Sequence, residues 1–159
     1  MDKTDLEKLQ DINKKLKKLN VKIKLVALLE KAKAEFERNR IENCFEACKE
    51  VLNSYPNNST ALRGIGCVMQ IQGDFAKAFE YYNKALKFST QKEIEYTLIG
   101  TLYYLQENLN EAIKYYNLAI EENDNYDLAY EGRNQSMLEN HLKIIDLQDS
   151  LIQKELNSY

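Results

Sequence analysis

Residues 62–85 read LRGIGCVMQIQGDFAKAFEYYNKA, and residues 96–119 read YTLIGTLYYLQENLNEAIKYYNLA. The second stretch repeats the small and aromatic residues of the first at a constant offset. The matched positions are Gly66 with Gly100, Ala78 with Ala112, Tyr82 with Tyr116, and Ala85 with Ala119. A fixed period of about 34 residues with helix-compatible spacing indicates stacked helical hairpins. This stretch therefore predicts an all-α solenoid.

A weaker copy precedes the two clear ones. Moving back by one period from the matched positions gives Ala32, Cys44, Cys48 and Val51. All four are small or apolar, as residues at helix–helix contacts should be. Pro56 lies in the turn that ends this copy, where Ser59 or Thr60 is expected to cap the next helix. The expected repeats are residues 25–58, 59–92 and 93–126.

The two ends of the chain carry opposite charge. Residues 1–24 contain eight Lys against four acids, whereas residues 107–159 contain eleven acids against four basic residues. Leucine and isoleucine recur every three or four residues in residues 1–24, which predicts a basic amphipathic helix. Residues 127–159 are predicted to form a partial repeat followed by a capping helix. The pattern leaves open whether residues 4–38 form one helix or two.

The repeated residues resemble the tetratricopeptide repeat family, whose pattern is W-x2-L-G-x2-Y in the first helix and A-x3-F with a later Ala in the second. In the second copy these positions are Leu62, Ile65, Gly66, Met69, Ala78, Tyr82 and Ala85. The turn Gly73-Asp74-Phe75 also fits. Glu107 departs from the family pattern, because it stands where the turn glycine is expected. The resemblance implies a right-handed solenoid of about three hairpins with extra helices at both ends.

The first helix of each hairpin lines a concave groove in this family, and that groove binds peptides or helices. Carried over by position, the groove residues are Lys33, Phe36, Arg63, Cys67, Gln70, Ile71, Thr97, Thr101, Tyr104, Leu105, Glu131 and Gln135. The set mixes aromatic and aliphatic anchors with hydrogen-bonding groups, as capture of an extended segment or an amphipathic helix requires.

The resemblance implies a non-catalytic adaptor or scaffold with a protein or peptide partner. A co-chaperone clamp for acidic peptide tails is not expected, because the clamp positions offer only Lys33 and Arg63 as cations and a carboxylate clamp needs more donors. A small type III secretion chaperone holding one client protein is the alternative. The terminal helices could fill the groove or bind another chain, which leaves a homodimer open.

Composition argues against several other functions. A net charge of −3 argues against nucleic-acid binding, and no apolar run reaches the length of a membrane span. The odd number of cysteines and the polar N-terminus indicate a reducing, cytoplasmic setting. Packing explains Cys44 and Cys48 better than metal binding does, because they stand at core positions. We expect no enzyme activity, cofactor or metal, since His141 has no evident catalytic partner.

Overall fold

The computed structural model describes residues 3–157, so residues 1–2 and 158–159 of the predicted terminal segments lie outside the described residues. The side chains of residues 3–5 and 156 are likewise not described. Seven α-helices account for most of the described chain. They are α1 (Lys3–Glu37), α2 (Ile41–Ser54), α3 (Ser59–Ile71), α4 (Phe75–Leu86), α5 (Lys92–Leu105), α6 (Leu109–Glu122) and α7 (Asp127–Leu156).

The helices pair as three hairpins, α1–α2, α3–α4 and α5–α6, and α7 follows as a single helix. Each helix packs against its neighbours in sequence, while α1 also contacts α3 and α5 also contacts α7. A chain in which each unit contacts the next is a solenoid. The predicted all-α hairpin solenoid is therefore confirmed. None of the helices in the described part of the chain is both long and apolar enough to span a bilayer.

Residues 3–37 form one continuous helix, which answers the question that the sequence leaves open. Its second half packs on the core through Leu25, Leu28, Leu29 and Ala32. Every side chain of residues 6–24, which we name the N-terminal extension, is exposed. At the other end, α7 continues past the stack, and residues 141–155, which we name the C-terminal extension, are exposed throughout. The first half of α7 packs on α6 and α5, and the capping role of residues 127–159 stays a prediction.

The turn inside each hairpin repeats with the period of the sequence. Asn39, Gly73 and Glu107 all have left-handed backbone, with φ of 56°, 78° and 59°. Glycine adopts this conformation without steric cost, and asparagine tolerates it better than most residues. Glu107, the residue that departs from the family pattern, is therefore strained, while the turn keeps the same left-handed backbone.

Asparagine or aspartate caps α3, α4 and α6. Asn58 accepts a hydrogen bond from the backbone N–H of Ala61 at 2.9 Å and caps α3. The expectation that Ser59 or Thr60 would cap this helix is wrong, because α3 already begins at Ser59. Asp74 and Asn108 cap α4 and α6 in the same way.

Four aromatic rings, which we name the aromatic row, join α4, α5 and α6. Phe79 packs edge-to-face on Tyr103 with ring centroids 5.0 Å apart. Tyr103 stacks on Tyr115 at 5.3 Å, and Tyr96 lies 6.3 Å from Tyr115. Aromatic pairs at these separations contribute beyond the area that they bury. The row therefore links the second hairpin to the third.

Candidate partner-binding groove

The predicted groove residues all lie on α1, α3 and α5, the first helices of the three hairpins, or on α7. Six are exposed: Lys33, Phe36, Ile71, Leu105, Glu131 and Gln135. Five are half-buried: Arg63, Cys67, Gln70, Thr101 and Tyr104. Thr97 is buried, so its side chain offers no open surface to a partner.

A pocket of about 250 Å³ lies between α1, α2 and α3. It brings together four of the predicted groove residues: Lys33, Phe36, Arg63 and Cys67. It is completed by Leu29, Ala32, Cys44, Cys48, Thr60 and Gly64. Gly64 keeps α3 close to α2, because a Cβ there would lie only 2.5 Å from the Cys48 sulfur. The walls of the pocket are thus largely apolar, and its cations lie on α1 and α3.

The three cysteines form a section of this apolar wall. Cys44 and Cys48 are buried and Cys67 is half-buried. Burial raises the pKa of all three thiols, that of Cys48 to about 12. Thiols with such pKa values are protonated at neutral pH and pack as small apolar groups. Within residues 3–157, no group of three or more His, Cys, Asp or Glu is arranged to hold a metal ion.

Tyr82 connects the core to the groove. Its fully buried ring lies against the backbone of Gly66, where an added Cβ would be 2.5 Å from a ring carbon. Its hydroxyl donates to Gln70 Oε1 at 2.8 Å and lies 3.4 Å from Cys67 Sγ. A residue that the sequence predicts only as core therefore also fixes two groove side chains.

Tyr116 has the same role in the next repeat. Its ring lies between Gly100 and Gly132, where added Cβ atoms would be 3.0 Å and 2.4 Å from ring carbons. Thr101 donates its hydroxyl proton to the Thr97 carbonyl at 2.9 Å. Tyr116 must therefore donate to Thr101 Oγ1, which lies 3.2 Å away. Gly132 is not among the predicted residues. A signal for it exists in the sequence, because Gly132 follows Tyr116 by 16 residues and Gly64 follows Cys48 by the same 16 residues.

A hydrogen-bonded bridge joins α5 to α7 among the predicted groove residues. The Tyr104 hydroxyl donates to Glu139 Oε1, and Gln135 Nε2 donates to the same oxygen at 2.9 Å. The hydrogen bonds from Tyr104 and Gln135 lower the pKa of Glu139. Two predicted groove residues, Tyr104 and Gln135, are therefore already hydrogen-bonded to Glu139. No sequence pattern singles out this glutamate.

Arg63, which with Lys33 supplies the cations of the predicted groove, forms a buried ion pair with Glu95. Arg63 Nε lies 3.7 Å from Glu95 Oε1, and the Glu95 side chain is fully buried. Among the described residues, neither carboxylate oxygen of Glu95 has a hydrogen-bond partner. Glu95 stands where the neighbouring first helices carry Ala61 and Ala129, each one period away in sequence. The charge of Arg63 is thus committed to Glu95 and is less available to a partner.

A larger depression of about 530 Å³ lies between α1 and α2. Its lining is mostly charged, and several of its polar groups already have partners within the chain. Asn43 donates to Glu35 at 2.9 Å, and Lys49 lies 3.8 Å from Glu46. The apolar pocket is therefore the better candidate for binding a partner, despite its smaller volume.

Two sequence profiles of the tetratricopeptide repeat family match the chain. One covers residues 64–91 and 96–126, and the other covers residues 26–58. No curated protein sequence matches the chain.

Solved structures of repeat proteins share the fold. One is the first tetratricopeptide repeat domain of Spaghetti (RPAP3), solved with the HSP90 peptide SRMEEVD, which has a TM-score of 0.65 at 18% identity. The match covers 74% of this chain and 93% of that domain. The Sgt2 domain from Aspergillus fumigatus has a TM-score of 0.67 at 17% identity, covering 74% and 80%. At these identities the likeness shows the fold alone.

A mutant O-GlcNAc transferase of Thermobaculum terrenum also matches, with a TM-score of 0.67 at 21% identity. The match covers 71% of this chain but only 22% of the transferase. Since the matched sequence profiles span more than half of its residues, the chain belongs to the tetratricopeptide repeat family.

Proposed function

We propose that this protein is a non-catalytic scaffold that captures an extended segment or an amphipathic helix of a partner protein along the groove. The observation that carries the proposal is the apolar pocket between α1, α2 and α3. Its volume of about 250 Å³ is below the range of about 300–1,000 Å³ that is typical of small-molecule sites. The pocket therefore suits one aliphatic or aromatic side chain of a partner better than a cofactor.

The hydrogen-bonding groups along the groove support a peptide-like partner. Gln70 and Thr101 are held by Tyr82 and Tyr116, so their orientation is fixed before a partner arrives. Fixed groups cost less conformational entropy on binding than mobile ones. An apolar anchor in the pocket, followed by backbone contacts to such groups, is a common way of binding an extended segment.

The charges of the groove argue against an acidic peptide tail as the partner. Lys33 has only a long contact of 4.0 Å to Glu37, but Arg63 is paired with Glu95. Lys33 by itself gives weak recognition of a terminal carboxylate, which needs several donors. In this respect we expect the partner to differ from the HSP90 peptide that is bound to Spaghetti.

The catalytic alternative has little support in the described residues. His141 is exposed in the C-terminal extension, and the thiols of the pocket are protonated by their raised pKa values. A nucleophile of this kind needs a lowered pKa or an adjacent base. The proposal therefore assigns the pocket to binding.

Selection from a displayed library of random peptides tests this function. We expect the selected peptides to share an apolar anchor residue and to lose at least about tenfold in affinity for Phe36→Glu, since a charge at the pocket mouth must be desolvated. Phe88→Glu is the matched control, because Phe88 is similarly exposed and lies beyond α4, away from the pocket.

Peptides that bind equally well to the wild-type protein and Phe36→Glu would place the binding site elsewhere. Purification from the native cells adds a second readout. A single client recovered in equimolar amount would favour the secretion-chaperone alternative over a general adaptor.

A further inference from the structure

The two extensions are long helical segments that continue past the packed helices. Residues 6–24 and 141–155 are exposed throughout, although both carry rows of large apolar side chains. Most of the stability of a helix in a protein comes from packing of its apolar face, which these segments lack within the chain. Contiguous exposed apolar surface is also characteristic of interaction sites. Another molecule is therefore expected to cover these faces.

The N-terminal extension carries a regular apolar stripe. Its members, which we name the N-terminal stripe, are Leu9, Ile12, Leu16, Leu19, Ile23 and Val26, each about half exposed. Their spacings alternate between three and four residues, which is the a/d pattern of a coiled coil. Because α1 is continuous, the stripe runs past Asn20 and supplies three a/d pairs.

The residues beside this stripe disfavour pairing with the same stripe of another copy. One flank, at the heptad g positions, is Lys8, Lys15 and Lys22, and the other, at the e positions, includes Asn13 and Asn20. An antiparallel pair would place lysines beside lysines, and a parallel pair would place them beside asparagines. Ion pairs between these flanks set the choice of partner in coiled coils. The N-terminal stripe thus requires a helix with acidic flanks.

The same chain carries such a helix at its other end. Leu138, Leu142, Ile145 and Ile152 form the C-terminal stripe of α7, and all four are exposed. Glu139 and Asp146 follow two of these residues directly and lie at the e positions of its heptad. Asp149 interrupts the stripe, and a charged residue at such a position weakens the seam, because its carboxylate is desolvated without a partner. The acidic residues beside the C-terminal stripe therefore complement the lysines beside the N-terminal stripe.

We propose that the N-terminal stripe of one copy packs in parallel along the C-terminal stripe of a second copy. Parallel pairing places Lys8 opposite Glu139 and Lys15 opposite Asp146. Glu139 makes this contact in addition to the hydrogen bonds that it accepts from Tyr104 and Gln135.

Parallel pairing also keeps the two solenoids apart. In the copy that supplies the N-terminal stripe the packed helices follow the stripe in sequence, whereas in the copy that supplies the C-terminal stripe they precede it. The pair then has one unused stripe at each end, so this heterologous contact adds further copies until a ring closes or an open chain forms.

Sedimentation velocity of the full chain with two disrupted variants tests this arrangement. The first variant, Leu9→Glu with Leu16→Glu, breaks the N-terminal stripe, and the second, Leu142→Lys with Ile145→Lys, breaks the C-terminal stripe. We expect the wild-type mass to rise with concentration above the 18.6 kDa of one chain. Each variant alone should remain at 18.6 kDa, and their equimolar mixture should form a discrete dimer of twice that mass.

Two controls test whether these effects belong to the stripes. Val21→Glu and Leu147→Lys change exposed apolar residues on the same helices away from the stripes, and both should associate like the wild type. Self-association of the second variant alone would show pairing between N-terminal stripes, and self-association of the first would show pairing between C-terminal stripes. A wild-type protein that stays monomeric at the highest concentration, or a mixture without dimer, would equally overturn the proposal.

Discussion

Glycine and tyrosine set the distance between helices at the centre of the second and third hairpins. The Tyr82 ring is fully buried, and an added Cβ on Gly66 would lie 2.5 Å from it. The ring cannot move aside without disturbing its hydrogen bond to Gln70. The same contact recurs between Gly100 and Tyr116, so one pair of residues explains the period of the sequence.

Substitution of Gly66 by alanine should therefore destabilise the protein. We expect overpacking to cost about 1–3 kcal/mol, partly offset by the higher helix propensity of alanine, about 1 kcal/mol. Urea unfolding followed by far-ultraviolet circular dichroism measures the difference. In the background of Tyr82→Leu the same substitution should be neutral or stabilising, because the ring is gone. An equal loss in both backgrounds would contradict the contact.

The buried pair between Arg63 and Glu95 gives a second prediction. Arg63→Met should cost about 3–5 kcal/mol, because it leaves a buried carboxylate without its counter-ion. Adding Glu95→Ala should recover most of this loss, since alanine occupies the equivalent position in α3 and α7. Chemical denaturation of the two single variants and the double variant checks this. Strict additivity of the two single losses would rule out the coupling.

At the scale of the elements, the turn of the third hairpin contains a strained residue. Glu107 holds a left-handed φ of 59° that its counterpart Gly73 adopts without strain. Glu107→Gly should stabilise the protein by about 1 kcal/mol, since this conformation costs other residues roughly 1–2 kcal/mol. Its ion pair with Lys143 is exposed and contributes little. Thermal unfolding measures the gain, and Glu107→Ala, which keeps the strain, should show none.

The bridge from α5 to α7 should make stability depend on pH. Hydrogen bonds from Tyr104 and Gln135 hold the pKa of Glu139 below its ordinary value of 4.5. The carboxylate therefore stabilises the fold fully above pH 4.5, and this contribution disappears as the pH falls through the lowered pKa.

We accordingly expect Glu139→Ala to lower the melting temperature at pH 7, with a smaller difference from the wild type at about pH 3. Glu131→Ala, a change at an exposed glutamate on the same helix, is the control and should show no such trend. A Glu139→Ala effect of constant size from pH 7 to pH 3 would exclude an ionised bridge.

At the scale of the whole molecule, the solenoid should be least stable at its ends. The extensions make few contacts with the core, so their amides are held only by local helix formation. In hydrogen exchange at low protein concentration, residues 6–24 and 141–155 should exchange orders of magnitude faster than the buried parts of α3 to α6. Uniform protection along the chain would contradict this gradient.

The period predicted the hairpins because it depends on local spacing alone. Gly66, Gly100, Tyr82 and Tyr116 repeat in sequence, and helix geometry converts that repeat into packing. The boundaries of the repeats at residues 25–58, 59–92 and 93–126 stay a prediction.

The polar contacts of the groove could not be predicted in the same way. The sequence pattern suggests a surface position for Glu95, yet its side chain is fully buried and lies against Arg63 of α3. Glu139 meets Tyr104 across a long separation in sequence. Such pairs depend on how neighbouring helices are rotated, and a single sequence holds no signal for that rotation.

The aromatic row has a practical consequence. The chain contains no tryptophan, and Tyr103 and Tyr115 are stacked at the junction between the second and third hairpins. Rings fixed this close together in an asymmetric environment give near-ultraviolet circular dichroism, which disappears once packing loosens even where helices persist. The protein thus carries its own optical reporter of aromatic packing, to which the junction of these two hairpins contributes, and no label has to be introduced.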